Sequence, residues 1–425
     1  MSLIKQAKAQ LTPLNLSIAD GLFATISNNF VGFMTPFLLG FGASNTHISA
    51  MASLQSLAGN VLQIPFAHLT ERLGRRKFLC IIAGILSRLL WVLLFFVPVL
   101  WHGQTAIYAF IAIMVAQSIC SALNAPAWTS FMGDIVPKEI RGRFFATRNI
   151  IMNIGSLFAV TIAGRMIEAG GFPNGYRRGI LISLLFGLVS FVFFLMIPEP
   201  KFQPVQQTSV SQRWTNRARR TPLRQQLQTL SNSQFGRFVL LTTLMSLGAG
   251  MSGPFFSVYA MQNLGATTKH LGYYAAGATA CVILSQGIWG YLSDRKGARL
   301  VMQLSAFGVT LSPLIWIFST SPWHPIIGEG VGGLAWSGWG LASFNLLLEL
   351  TPEDRRPTFV AAHSFVNGLA AFVAPLIGGV ITEKFGIPAV FMVTICFRLA
   401  VGLGFRQMRA HSESQVSEES LAPSP

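Results

Sequence analysis

Residues Ala67 to Lys77 read Ala-His-Leu-Thr-Glu-Arg-Leu-Gly-Arg-Arg-Lys, and Gly290 to Arg299 read Gly-Tyr-Leu-Ser-Asp-Arg-Lys-Gly-Ala-Arg. Each copy sets an acid (Glu71, Asp294) four residues after a small residue and follows it with Arg (Arg72, Arg295). Gly comes two residues later (Gly74, Gly297), and basic residues close the segment. The copies stand 223 residues apart, each between two apolar runs of membrane-spanning length. A charged turn repeated half a chain away in this setting predicts a polytopic membrane protein built from two related halves.

Composition points the same way. Of the 425 residues, 52% are hydrophobic and 11% charged, with mean hydropathy +0.52; a soluble domain carries about 25% charged residues. The net charge of +16 would suit nucleic acid, but the basic residues lie in short loops between apolar runs, which argues against a nucleic-acid partner. Cys80, Cys120, Cys281 and Cys396 fall inside apolar runs without metal-ligand spacing, so they read as small buried hydrophobes. Lys5 and Lys8 precede an apolar segment with no clear small-residue cleavage site, which predicts a retained first span.

Twelve candidate spans follow one another from about 15–41 to about 388–407. They divide into a six-helix half (1–200), a polar linker (201–233), a second six-helix half (234–410) and a Ser/Glu/Pro-rich, disordered tail (411–425). Most Lys and Arg fall at the N-terminus, in loops after even-numbered spans and in the linker. The other side holds Arg165, Arg177, Arg178, Lys269 and Lys384. This asymmetry predicts cytoplasmic termini in a cell (inner or plasma) membrane. The repeat extends further. Gly42-Ala43-Ser44 and His47 match Gly265-Ala266-Thr267 and His270. Asp134, Pro137 and Arg141 match Glu349, Pro352 and Arg356, and Gly164, Glu168, Gly171 and Pro173 match Gly379, Glu383, Gly386 and Pro388, now at a shift of 215. Two halves of the same orientation are parallel repeats about an axis normal to the membrane.

On these residues the chain resembles the major facilitator superfamily of secondary transporters. Its signature, small-x-x-x-Asp-Arg-x-Gly-Arg-Arg between spans 2 and 3, is met by Arg72, Gly74, Arg75 and Arg76, with Ala67 where Gly is usual and Glu71 where Asp is usual. The second copy keeps Gly290, Asp294, Arg295, Gly297 and Arg299. The resemblance implies an all-α fold of twelve transmembrane helices in two six-helix pseudo-repeats around a central cavity, alternating between inward-open and outward-open states. It places Glu71 against the start of span 11 and Asp294 against the start of span 5. A carboxylate at a helix N-terminus there gains about 0.3–1 kcal/mol. With Asp134, Arg141, Glu349 and Arg356 these residues form an expected cytoplasmic latch.

The same resemblance assigns the cavity to spans 1, 4, 7 and 10. Candidate solute contacts are Thr25, Asn28 and Asn29; Gln117, Ser121 and Asn124; Ser246 and Ser252; and Trp336 and Trp339. Indoles beside amides suit a neutral or amphipathic organic solute. Three charges, Arg88, Arg398 and Glu329, fall at depth, where each costs at least ~2.5–3.5 kcal/mol and must pair or face water, and Asp20 lies near the cytoplasmic start of span 1. Arg88 and Arg398, on the peripheral spans 3 and 12, are expected to pair within their own halves, with an anionic substrate as the alternative for Arg88. Asp20 and Glu329 are candidates to carry a coupling proton.

The leading reading is therefore a secondary carrier of a small organic solute, expected to work as a monomer in the lipid bilayer and without a cofactor. A multidrug or metabolite efflux antiporter is the alternative. Span 5 lacks a Gly-Pro-x-x-Gly-Gly pattern common in antiporters of the family, whereas span 11 carries Ala374-Pro375-x-x-Gly378-Gly379. A membrane enzyme would need a catalytic constellation, and the seven histidines are scattered. A non-transporting receptor or scaffold on the same fold would carry an extra domain. No Gly-Lys-Ser/Thr nucleotide loop is present to support ATP-driven pumping.

Overall fold

The computed structural model describes residues 2–137, 140–199, 234–351 and 356–408. The expected linker (201–233) and tail (411–425) lie outside the described residues, as do the side chains of Glu71, Arg141 and Arg356. The described residues form fifteen helices and no strand. In the first half these are α1 (Ser2–Phe30), α2 (Met34–Gly40), α3 (Asn45–Val61), α4 (Gln63–Leu73), α5 (Arg76–Leu100), α6 (Gly103–Ile135), α7 (Arg141–Gly170) and α8 (Asn174–Met196). The second half holds α9 (Gln234–Ser252), α10 (Phe255–Asn263), α11 (Thr268–Lys296), α12 (Ala298–Ile317), α13 (Pro325–Glu349), α14 (Arg356–Phe385) and α15 (Ile387–Gln407).

Spans 1, 2 and 7 are each broken into two helices, so the fifteen helices make twelve crossings. Ten described segments are long and apolar enough to cross a membrane by composition alone. The other two are α3–α4, interrupted at Leu62, and α13, whose run of glycines lowers its hydropathy.

The sequence repeat has a physical meaning at its turns. Gly42, Gly74 and Gly171 and their counterparts Gly265, Gly297 and Gly386 all have positive φ, from 62° to 84°, where a Cβ is disfavoured. The Gly-Ala-Ser/Thr-x-x-His repeat is a helix start. Ser44 N–H donates to His47 Nδ1 at 3.2 Å, and Thr267 N–H donates to His270 Nδ1 at 3.1 Å. In both cases a capping box satisfies donors that the first turn leaves free.

Burial shows how the halves meet. The charged turns define a basic face. Toward the opposite face one continuous apolar core joins both halves, with Phe37, Phe110 and Tyr176 of the first and Phe255, Trp316 and Phe391 of the second. Toward the basic face the core splits. Leu79, Phe131 and Phe194 cluster in the first half, and Phe238, Val301 and Phe405 in the second. Large apolar side chains such as Leu284 (76% exposed) point outward, as lipid contact requires. Cys80 and Cys120 are buried as expected, but Cys281 is half-buried and Cys396 is exposed on the outer surface of α15.

The opposite face is sealed by small residues at repeat-equivalent positions. Gly164 of α7 packs on Thr268 and Gly272 of α11, and Gly379 of α14 packs on Ser49 of α3. Thr46 donates to Glu383 across the same seam, and Arg165 donates to the Tyr273 hydroxyl from Nε and Nη2 at 2.8 and 2.6 Å. The Ala374-Pro375-x-x-Gly378-Gly379 segment serves this packing. Gly378 abuts the Met251 carbonyl within its own half, while Gly379 faces the other half.

Candidate functional site

Helix breaks create the main cavity. Span 1 stops at Phe30 and resumes at Met34; span 7 stops at Ser252 and resumes at Phe255. Pro254 has no N–H to continue the ladder, and the Gly253 N–H still reaches the Ala249 carbonyl at 2.8 Å. Irregular backbone at membrane depth is tolerated where it lines a cavity. Here both breaks border a space of about 540 Å³ between the halves.

Asn28, Asn29 and Phe33 line this cavity from span 1, Phe256 from α10, Tyr274 from α11, Trp316 from α12 and Glu329 from α13. Asn29 is held in place from both ends. Its Nδ2 donates to the Thr25 carbonyl at 2.8 Å, and its Oδ1 accepts from Ser156 Oγ at 3.1 Å. Glu329 accepts from Trp316 Nε1 at 3.2 Å. Trp316 reaches it because Gly328 is next in line: a Cβ there would lie 3.1 Å from Trp316 Cδ1. Phe256 and Tyr274 pack on Trp316 with ring centroids 5.1 and 5.6 Å away. One carboxylate and two amides among aromatic rings give the cavity an amphipathic wall with a single acidic point.

A second, more polar cavity of about 310 Å³ lies inside the first half, bordered by Asp20, Arg88, Asn124 and Arg148. Asn28 borders both cavities. Asp20 is buried (7% exposed) and accepts from Ser190 Oγ at 2.6 Å. Arg88 donates to the carbonyls of Gly84, at 2.8 Å, and Gly187. Arg148 is 6% exposed, donates to the Ser17 carbonyl at 3.3 Å and lies 4.9 Å from the Trp128 ring centroid.

The expected solute residues separate in space. Asn28, Asn29 and Glu329 share the central cavity, and Ser121 and Asn124 border the inner one. Gln117 is buried and satisfied by Ser87, which donates to its Oε1 and accepts from its Nε2 at 2.8 Å each. Ser246 donates to Asn367 Oδ1 at 2.7 Å, and Ser252 is fully buried. Trp336 and Trp339 do not line either cavity. They form an edge-to-face pair in the second half's own core, where Trp339 packs on Phe405 and Trp336 under Arg398. Trp336 shares nearly the same face of α13 as Glu329 but lies about 10 Å farther along the helix, two turns beyond the residue that borders the cavity.

Arg88 and Arg398 each hold a backbone carbonyl in their own half. Arg398, 3% exposed, donates to the Val309 carbonyl at 2.7 Å. Arg148, placed by the sequence among the loop cations, is instead a buried residue of α7. The signal was Gly21: a Cβ there would lie 2.4 Å from the Arg148 guanidinium, so the glycine exists to admit it. Trp316 and Tyr274 were missed because spans 8 and 9 were not counted among the lining spans.

At the basic face the described gate residues make contacts within halves. Arg76 pairs with Asp134, and Arg299 donates to the carbonyls of Phe405 and Arg406 at 3.1 and 2.8 Å. Asp294, Arg295 and Glu349 are exposed. Between the halves on this side a cleft of about 490 Å³ runs from Gln63 and His68 to Ser364 and Gly368.

Comparison with known proteins fits this geometry. The profile of the Major Facilitator Superfamily matches residues 16–239 and again 238–425. The multi-drug resistance efflux pump PmrA of Streptococcus pneumoniae is 24% identical, with 86% of this chain and 87% of that protein aligned. The class H tetracycline resistance protein of Pasteurella multocida is 26% identical over 34% of this chain, which spans about a third (36%) of that relative's length. A solved D-xylose-proton symporter superposes with TM-score 0.72 at 13% identity, covering 95% of this chain and 98% of its own. With two half-length family matches, a helical bundle of two repeats and a cavity between them, this chain belongs to the Major Facilitator Superfamily and is a secondary transporter.

Proposed function

We propose that the chain carries a small neutral or cationic amphipathic organic solute, with the basic face cytoplasmic and the cavity seen here open toward that face. The observation that carries this reading is the central cavity itself: Glu329, Asn28 and Asn29 among Phe256, Tyr274 and Trp316, closed on one face by the Gly164 and Gly379 seams. Aromatic faces beside one carboxylate favour apolar bodies with a positive or hydrogen-bonding end.

Glu329 and Asp20 are the proposed coupling groups, since each is a carboxylate at membrane depth bordering a cavity. In the proposed cycle the basic-face latch, with Asp134, Asp294, Arg295, Arg299 and Glu349 among its described members, closes as the Gly164 and Gly379 seams open. The two arrangements must lie within a few kcal/mol for a solute or proton to tip them. Likeness to drug efflux pumps supports export as the second reading, and the same cavity would serve it.

The deciding experiment is a solute panel in proteoliposomes with and without a pH gradient across the membrane. Gradient-dependent accumulation of amphipathic amines or neutral aromatics supports the reading. Flux of strongly anionic solutes alone would overturn it. The direction of accumulation relative to the gradient separates import from efflux.

A further inference from the structure

The cavity inside the first half carries an excess of positive charge that the transport reading does not use. From α1 comes Asp20, from α5 Arg88 and from α7 Arg148. Its other ionisable residues are Cys80 on α5 and Cys120 on α6, and α8 contributes only uncharged groups. One carboxylate therefore faces two guanidiniums. The second half differs in its count: one guanidinium, Arg398, stands beside one carboxylate, Glu329, at depth, and these bond the Val309 carbonyl and Trp316 Nε1 respectively.

Neither guanidinium is neutralised by its own contacts. Among the described residues Asp20 takes its hydrogen bond from Ser190, and neither arginine closes an ion pair with it. The arginines bond backbone carbonyls and lie over the rings of Phe191 and Trp128, at 4.7 and 4.9 Å. Carbonyls and π faces orient a guanidinium without cancelling its charge. Arg88 Nε is buried and has no hydrogen-bond partner. An unmatched cation at this depth is costly, and a buried donor left unpaired adds to that cost.

We propose that this cavity is a binding site for a small monovalent anion, a halide or a carboxylate group, held between the guanidiniums of Arg88 and Arg148. The hydroxyl of Ser121 and the amide of Asn124 border the same space and add donors to its wall. About 310 Å³ accommodates a halide with water or a carboxylate of a few atoms. The site is separate from the central cavity, touching it only at Asn28. Anion binding therefore stands or falls without any transported solute.

The test uses the purified full chain in lipid nanodiscs, with a bulky sugar-acid salt as the starting electrolyte. Chloride, bromide or acetate is exchanged in at constant ionic strength. Thermal unfolding and tryptophan fluorescence are read together, because Trp91 and Trp128 border the cavity. The expected result is a saturable rise in Tm and a saturable bromide quench that shrinks in Trp128→Phe and is lost when Trp91→Phe is added. Arg148→Gln and Arg88→Gln should each weaken binding at least about tenfold. Asp20→Asn removes the one opposing charge and should tighten it by on the order of tenfold or more. That gain of affinity cannot come from misfolding, so it decides the matter where an arginine variant fails to fold. Saturation by halide but not acetate assigns a resident inorganic ion; saturation by acetate with competition by chloride assigns a carboxylate group. A wild-type Tm and quench that respond to no anion beyond ionic strength, or an Asp20→Asn variant with unchanged or weaker anion binding, would overturn the proposal.

Discussion

Gly164 and Gly272 bring two helices from opposite halves into backbone contact. A Cβ on Gly164 would lie 2.6 Å from the Thr268 carbonyl oxygen and 3.2 Å from Gly272 Cα. The repeat-equivalent contact is Gly379 against Ser49, where the nearest atom is Ser49 Oγ at 2.4 Å. The first obstacle is backbone and cannot move; the second is Ser49, whose Oγ can rotate away but whose Cβ, at 2.8 Å, stays with the backbone. Gly164→Ala should therefore cost the sealed state about 1–3 kcal/mol by overpacking and shift the population toward opening at this face by about 5- to 100-fold. Gly379→Ala should cost less, because rotation of Ser49 Oγ relieves its closest contact and leaves the 2.8 Å contact with Ser49 Cβ. Spin-label distances across the opposite face measure both. Equal effects would show that the seam is not set by backbone contact.

The Arg165–Tyr273 contact occurs in one copy only, because the equivalent positions of the repeat are Val380 and Ala50. Both are near solvent, so its worth is modest: about 0.5–1.5 kcal/mol for the lost hydrogen bonds in Tyr273→Phe. The sealed state should weaken by roughly 2- to 10-fold. Disulfide formation between cysteines introduced at Thr46 and Glu383, which meet across the repeat-equivalent seam on the same face, should slow accordingly.

The duplication, the crossings and the turn glycines were legible because each rests on a local rule: apolar length, charge asymmetry and positive φ at Gly42, Gly74 and Gly171. The site was legible only where a residue's face followed from its span. Asn28, Asn29 and Glu329 border the central cavity, while Trp336 and Trp339, about two and three turns along the same helix from Glu329, pack in the core. Periodicity gives the face of a helix but not the depth at which a cavity ends along it, so Trp336, on nearly the same face as Glu329, lies beyond the cavity. Arg148 shows a different limit. A cation seven residues after the start of a helix reads as a loop charge unless the glycine that receives it, on another helix, is known to face it.

Glu329 and Trp316 can be tested for coupling. Glu329→Gln keeps an oxygen that can accept from Trp316 Nε1 but removes the ionisable group. Binding of a neutral solute should change by no more than a few-fold, while pH-gradient-driven accumulation should fall at least about tenfold if the proton travels on this carboxylate. Trp316→Phe should show the reverse pattern. It weakens binding by the lost indole area and the hydrogen bond, about 0.5–1.5 kcal/mol for the latter, and leaves the gradient dependence in place. Retained gradient-driven accumulation in Glu329→Gln would move the coupling role to Asp20.

The charged turns themselves yield a paired prediction. Gly74 has φ of 62° and caps α4, its N–H donating to the Thr70 carbonyl at 3.1 Å. Alanine there must adopt a left-handed conformation that costs about 1–2 kcal/mol, so Gly74→Ala should lower Tm. Gly290 lies inside α11, and a Cβ there meets nothing within 4 Å. The equivalent residue of the first copy is already Ala67. Gly290→Ala should therefore leave Tm unchanged or raise it slightly, since alanine is the better helix former by about 1 kcal/mol. If the space beside Gly290 is filled only when the basic face closes, the same variant should trap the carrier open at that face. It would then slow transport with no loss of stability. A Gly290→Ala carrier with normal transport and normal Tm would place no closing contact at that residue.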